Sequence, residues 1–127
     1  MTSVRLRPVI LVIEAVEETR QGIERLLSVS DYQVTTAKDE RDAIFNARLT
    51  PPNLILISLD RNVVSILPVV QRIRDGAGIG ESIPVVVFCV TSLEEGAEVE
   101  AGYNVYLTRP ENFDQLRILL GRLLRNR

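Results

Sequence analysis

The sequence predicts an α/β domain in which a parallel sheet of five strands carries helices on both faces. Short continuous runs of branched apolar residues alternate along the chain with stretches whose apolar residues recur at helical spacing. A strand that is apolar throughout is typical of a parallel sheet covered on both sides. One predicted strand is half-polar and suits a sheet edge, so we expect the strand order 2-1-3-4-5.

The first half of the chain contains three predicted strands and two predicted helices. Residues 9–13 and 53–57 are almost wholly apolar and predict buried strands, whereas residues 32–37 form the half-polar edge strand. A helix is expected over residues 17–30, behind an acidic first turn. A second helix is expected over residues 39–49, and the two prolines that follow it end it.

The second half continues the alternation of helix and strand. Its predicted elements are a helix over 65–74, a strand over 83–90, an acidic helix over 93–101, a strand over 105–107 and a final helix from 112. Ser65 is the expected N-cap of the first of these helices. Gly102 is expected to end the acidic helix. Asn112 is expected to cap the final helix, and Gln115 three residues later resembles the second member of a capping box.

Composition excludes several classes of protein. The length of 127 residues fits one domain, and the formal net charge of −2 argues against a nucleic-acid-binding surface. Histidine is absent, and the single cysteine cannot form an internal disulfide. No apolar run is long enough to cross a bilayer, and no signal peptide is visible. We expect a cytoplasmic domain that does not bind membranes and carries no output domain.

A binding site in such a fold is expected at the carboxyl ends of the strands, where ligands bind in open α/β sheets. Glu14 follows the first predicted strand, and Ser58 and Asp60 follow the strand over residues 53–57. Cys89 lies near the end of the next strand, and Arg109 follows the last one. These five residues, distant in sequence, should therefore line one shallow crevice.

Two segments carry a family resemblance, residues 101–110 (AGYNVYLTRP) and residues 52–58 (PNLILIS). Together with the order of the elements, they make residues 8–125 resemble a bacterial response-regulator receiver domain, which has a flavodoxin-like fold. The resemblance implies an acidic pair that holds Mg²⁺ after the first strand. It also implies an aspartate that accepts a phosphoryl group from a histidine kinase, a Thr or Ser, and a Lys-Pro pair.

This sequence departs from the receiver pattern at the positions that carry the chemistry. Ala15 stands in place of one member of the acidic pair, and Ser58 stands where the phosphoaccepting aspartate is expected. Cys89 replaces the Thr or Ser, and Arg109 replaces the lysine with a different geometry. Tyr106 matches the aromatic residue that swings between exposed and buried states in the family.

These replacements argue against ordinary phosphotransfer. A serine hydroxyl needs a general base, and only Glu14 or Asp60 could supply one. The Mg²⁺ site lacks carboxylates at Ala15 and Ser58, so Mg²⁺ binding is expected to be lost or weak, with no other cofactor. Glu14 and Arg109 are expected to pair across the empty pocket. Cys89 could be a redox sensor, although core packing is favoured for a free cysteine.

Three functions remain open at this stage. The leading hypothesis is a non-enzymatic pseudo-receiver that binds an unidentified protein, or itself, through its fourth helix, fifth strand and fifth helix. The alternative is an atypical receiver that is phosphorylated at Asp60 or Ser58 and switches through Tyr106. The third is a small flavodoxin-like protein that binds a nucleotide or another metabolite, for which the sequence offers no phosphate cradle.

Overall fold

The computed structural model describes residues 7–58, 66–88 and 90–125, and they form one sheet and four helices. The strands are β1 (Val9–Ile13), β2 (Gln33–Ala37), β3 (Leu54–Ser58), β4 (Val85–Phe88), β5 (Glu98–Gly102) and β6 (Val105–Thr108). The helices are α1 (Glu17–Ser28), α2 (Glu40–Leu49), α3 (Ile66–Ala77) and α4 (Phe113–Arg125). In the described part of the chain, no helix is long and apolar enough to cross a membrane.

The predicted α/β architecture is confirmed. The sheet has the order β2-β1-β3-β4-β6-β5, in which the first five strands are parallel and follow the predicted order. Ile13 of β1 lies beside Ile57 of β3, and Ser58 lies beside Phe88 of β4. The carboxyl ends of β1, β3 and β4 therefore meet at one end of the sheet, as expected.

Helices cover both faces of the sheet because successive strand residues point to opposite sides. On one face, Ala43 and Ala47 of α2 and Ile73 of α3 pack over Leu11 and Ile55 of the sheet. On the other face, a second buried cluster joins the sheet to α1 and α4. Its buried members are Ile10, Val12, Leu27, Leu54, Leu56, Val86, Phe88, Leu116, Leu119 and Leu120.

The prediction of an acidic helix over residues 93–101 is wrong. The strand β5 occupies the end of this region and runs antiparallel to β6. Tyr103 and Asn104 join the two strands with φ angles of 57° and 60°. Two successive residues of positive φ fit the right-handed twist of a tight hairpin. Gly102 has a φ of 89° and leads into this turn rather than ending a helix.

The predicted N-cap at Asn112 is confirmed, although the Gln115 side chain bonds the residue before the cap, whereas in a capping box it would bond the cap itself. Gln115 N donates to Asn112 Oδ1 at 2.9 Å, while Gln115 Oε1 accepts from Glu111 N at 2.7 Å. The side chain of Asp39 caps α2 by accepting from Asp42 N at 2.8 Å. The expected cap at Ser65 lies outside the described residues.

Candidate functional site

The candidate site lies at the carboxyl ends of β1 and β3. Glu14 directly follows Ile13, and Ser58 directly follows Ile57, the residue paired with Ile13. Neighbouring strands lie about 4.8 Å apart, so the backbones of Glu14 and Ser58 are adjacent. Glu14 is buried, with 8% of its surface exposed, and Ser58 is half-buried. The two residues therefore share one small region, as the sequence predicts.

The carboxylate of Glu14 is engaged by its own loop. Its Oε2 accepts a hydrogen bond from Val16 N at 3.0 Å, just before α1 begins. The backbone of Glu14 is also fixed, since its N–H donates to Ala37 O at 3.0 Å. Arg20 Nη1 donates to Glu14 O at 2.9 Å. These contacts hold the loop after β1 in one conformation.

Arg109 has a different partner from the one expected. Its Nη1 donates to the carbonyl oxygen of Leu93 at 3.0 Å, in the segment that precedes β5. Its backbone N–H donates to Ala97 O at 3.1 Å, and its carbonyl accepts from Gly96 N at 2.6 Å. Arg109 therefore fastens the segment before β5 to the end of β6.

The prediction of an ion pair between Glu14 and Arg109 is therefore wrong. The ion pairs among the described residues join Arg72 to Glu40, Arg117 to Asp114 and Arg122 to Glu98. Arg109 reaches Leu93 O because the chain before β5 passes beside its guanidinium. The replacement of the expected helix by a strand thus explains the changed position of the guanidinium.

The described residues by themselves do not supply the ligands of a magnesium site. Mg²⁺ requires several hard oxygen ligands, usually including one or two carboxylates. Within residues 7–58, 66–88 and 90–125, no three acidic, histidine or cysteine side chains come together. Glu14 offers one carboxylate at the strand ends, and Ala15 offers none. Asp60 and Cys89, the other predicted members of the site, lie outside the described residues.

Tyr106 is half-buried in the cluster formed with α1 and α4. Its hydroxyl donates to Asn104 Oδ1 at 2.9 Å, and Asn104 Nδ2 donates to Glu81 O at 2.8 Å. Burial raises the pKa of Tyr106, and the nearby Glu100 carboxylate raises it further. The hydrogen bond to Asn104 thus fixes the hydroxyl of this half-buried ring.

Two further buried residues fix opposite ends of β6: Thr108, which the sequence also places just after the last predicted strand, and Arg74, which sequence reasoning missed. Thr108 is 1% exposed, and its hydroxyl donates to Ala97 O at 3.0 Å. Arg74 is 2% exposed and donates to Tyr103 O and Ile83 O at 2.6 Å and 2.8 Å. Arg74 falls at a buried position of the predicted helix, one residue after Ile73. An arginine at that position was the available signal.

Comparison with known proteins places these observations in a family context. No protein-family profile matches the chain. The chain is 30% identical over 122 residues to the transcriptional regulatory protein PrrA of Mycobacterium leprae, covering 94% of this chain and 51% of that protein. It is 31% identical over 111 residues to the transcriptional regulatory protein KdpE of Staphylococcus aureus, covering 85% and 46%. The chain thus spans about half the length of these relatives.

Among solved structures, the fold is similar to the receiver domain of the sensor histidine kinase PA1611 from Pseudomonas aeruginosa. The TM-score is 0.69 at 24% identity, over 94% of this chain and 98% of that one. That structure holds a magnesium ion coordinated in its active site cleft. The chain thus shares the fold of receiver domains, and its sequence is similar to about half of each of the two transcriptional regulatory proteins.

Proposed function

We propose that this chain is a signalling module of two-component type that has lost aspartyl phosphorylation and acts by binding proteins. One observation carries the proposal. Ser58 lies at the carboxyl end of β3, beside the end of β1, where the receiver resemblance places the phosphoaccepting aspartate. An aspartate there would be ionised and nucleophilic at neutral pH, whereas a hydroxyl needs a general base.

The hydrogen bonds of the two predicted charged residues of the site support the same conclusion. The Glu14 carboxylate accepts from Val16 N, and the Arg109 guanidinium donates to Leu93 O. Val16 N occupies one oxygen of the carboxylate, and Leu93 O occupies one nitrogen of the guanidinium, so each group has fewer sites left for a metal ion or a phosphoryl oxygen. Receiver domains are in general signalling modules rather than enzymes, and we propose a non-catalytic, cytoplasmic role without a cofactor here.

A direct test is the intact mass of the protein after incubation with acetyl phosphate and Mg²⁺. We expect the unaltered chain to gain no phosphate. The matched variant carries Ala15→Asp together with Ser58→Asp, which restores the two missing carboxylates. An established receiver domain treated in parallel shows that the phosphodonor is active. A phosphate gained by the unaltered chain, whether labile as on an aspartate or stable as on a serine, would contradict the proposal.

The alternative is an atypical receiver phosphorylated at Asp60 or Ser58. The observation in its favour is the adjacency of Glu14 and Ser58, which places a carboxylate one strand away from the hydroxyl. Against it, the Tyr106 hydroxyl is bonded to Asn104, so a swing of the ring would have to break that bond. Peptide mapping of any phosphate identifies the acceptor and separates the two functions.

A further inference from the structure

The strand β5 gives this molecule an open sheet edge. It stands last in the strand order and, in the described part of the chain, pairs with β6 only. Arg109 N donates to Ala97 O at 3.1 Å, and backbone bonding alternates along an antiparallel pair. The N–H and C=O groups of Glu98 and Glu100 therefore point away from β6. Such a row of free backbone groups is a template for another strand.

The two faces of β5 differ in chemistry. Glu98 lies opposite Thr108, and Glu100 lies opposite Tyr106, which packs on the same side of the sheet as α4. Val99 lies opposite Leu107, on the face that carries α2 and α3, and 44% of its surface is exposed. A strand added along β5 would thus meet carboxylates on one face and an apolar side chain on the other.

The charge around this edge is strongly negative. The carboxylates on or beside it belong to Glu94, Glu95, Glu98, Glu100 and Glu111. Arg122 pairs with Glu98 at 2.7 Å, whereas Arg109 faces a backbone carbonyl. Ile118 precedes Arg122 by four residues on the same side of α4 and is 59% exposed. The edge therefore combines an acidic surface with exposed apolar contacts.

We infer that the β5 edge binds an extended segment of a partner protein in which basic and apolar side chains alternate. The segment adds to the sheet as one more strand, with its basic side chains facing Glu98 and Glu100 and its apolar side chains beside Val99. Alternate side chains of a strand point to opposite faces, which matches this requirement. The inference rests on the proposed function, because it names the kind of partner that function requires.

A second copy of the chain is a poorer occupant than such a segment. Antiparallel pairing of two β5 strands about Val99 would place Glu98 of one copy opposite Glu100 of the other. Like charges directly opposite each other on neighbouring strands are destabilising. Charge complementarity thus favours a basic segment over self-association through this edge.

The test uses a short synthetic peptide in which arginine alternates with valine, and a control peptide in which glutamate replaces arginine. We expect saturable binding of the basic peptide only. In amide NMR spectra, the largest shifts and the strongest new protection from hydrogen exchange should fall on Glu98–Gly102. No binding of the basic peptide, or shifts confined to another surface, would overturn the inference.

Variants of β5 separate the contribution of its backbone groups to peptide binding from the contribution of its charges. Glu100→Pro removes an N–H that points away from β6, so the fold should survive while binding is lost. Glu98→Gln with Glu100→Gln should weaken binding about fivefold through the loss of two cross-strand charge pairs. The matched pair Glu17→Gln with Glu18→Gln removes the same charge from α1 and should leave binding unchanged.

Two further results would overturn the inference. One is undiminished binding to the Glu100→Pro variant, whose folding is checked by its urea unfolding curve. The other is a stable dimer whose β5 amides are already protected, since the occupant would then be a second copy. The acetyl phosphate experiment does not involve β5, so a failure of peptide binding is distinguishable from a failure of the proposed function.

Discussion

The two halves of the sheet differ in the element that follows each strand. Around β1 and β3, each strand is followed by a helix whose apolar face covers the sheet. After β4, the segment in which the sequence predicts another helix becomes β5, which extends the sheet instead of covering it. This difference shows that fold class and strand order can persist while one helix is replaced by a strand.

The hairpin of β5 and β6, which replaces the predicted helix, is held by polar contacts rather than by the apolar face of a helix. Arg74 reaches from α3 to Tyr103 O in the hairpin turn and to Ile83 O before β4. Burial lowers the pKa of Arg74 from its ordinary value, because the charged guanidinium has been removed from water. The hairpin is thus fixed by a buried cation that satisfies two carbonyl groups.

The largest expected effect comes from removing this cation. Arg74→Met keeps much of the side-chain length but leaves Tyr103 O and Ile83 O without a donor. We expect the free energy of unfolding to fall by about 3 kcal/mol, as for hydrogen bonds to a buried charged group. Urea denaturation measures the loss.

Arg72→Met is the control for this substitution. Arg72 lies two residues away on the same helix, and it pairs with Glu40 at 2.8 Å on the exposed surface. Exposed ion pairs contribute little, so this variant should unfold almost as the parent does. Equal losses for Arg72→Met and Arg74→Met would show that the hairpin does not depend on the buried contacts.

Gly102 in β5 and Gly22 in α1 allow the backbone conformations of the two regions to be compared. Gly102 has a φ of 89°, and a Cβ there would meet no atom within 4 Å. Gly102→Ala should therefore cost about 1–2 kcal/mol through backbone strain alone. Gly22 has equally open surroundings but lies inside α1, so Gly22→Ala should stabilise by about 0.5–1 kcal/mol. Thermal unfolding of both variants should show shifts of opposite sign.

Substitution of Tyr106 should have a small effect on stability, and this effect should depend on pH. Tyr106→Phe removes the hydrogen bond to Asn104 and should cost about 1 kcal/mol at neutral pH. The folded state raises the pKa of Tyr106 above its ordinary value of 10.0, so it favours the neutral hydroxyl. That contribution is complete below pH 10.0 and is lost as the pH rises through the raised pKa.

Unfolding curves at a series of alkaline pH values check this prediction. The parent protein should lose more stability than Tyr106→Phe as the pH rises above 10.0. Parallel losses in the two proteins would mean that burial and the Glu100 carboxylate do not raise the pKa of Tyr106.

The sequence predicts the parallel part of this fold well because each buried strand is a short, uniformly apolar run. The region around β5 misled prediction, since Glu94, Glu95 and Glu98 favour a solvated helix. Gly96 and the alternation of polar and apolar residues about Val99 favoured a strand instead. The strand forms because it pairs with β6, and this tertiary contact cannot be read from local sequence. The adjacency of Glu14 and Ser58 followed from the topology. The partner of Arg109 did not, because it depends on where the segment before β5 passes.

The loss of the metal and phosphoryl site is tested most directly by thermal unfolding with Mg²⁺ alone and with Mg²⁺ plus beryllofluoride. A ligand that binds only the folded state raises stability by mass action. We predict no change in Tm for the unaltered chain at millimolar concentrations, and a rise for the variant carrying Ala15→Asp and Ser58→Asp. A clear rise for the unaltered chain would contradict the account, because it would require a working metal and phosphoryl site around Glu14.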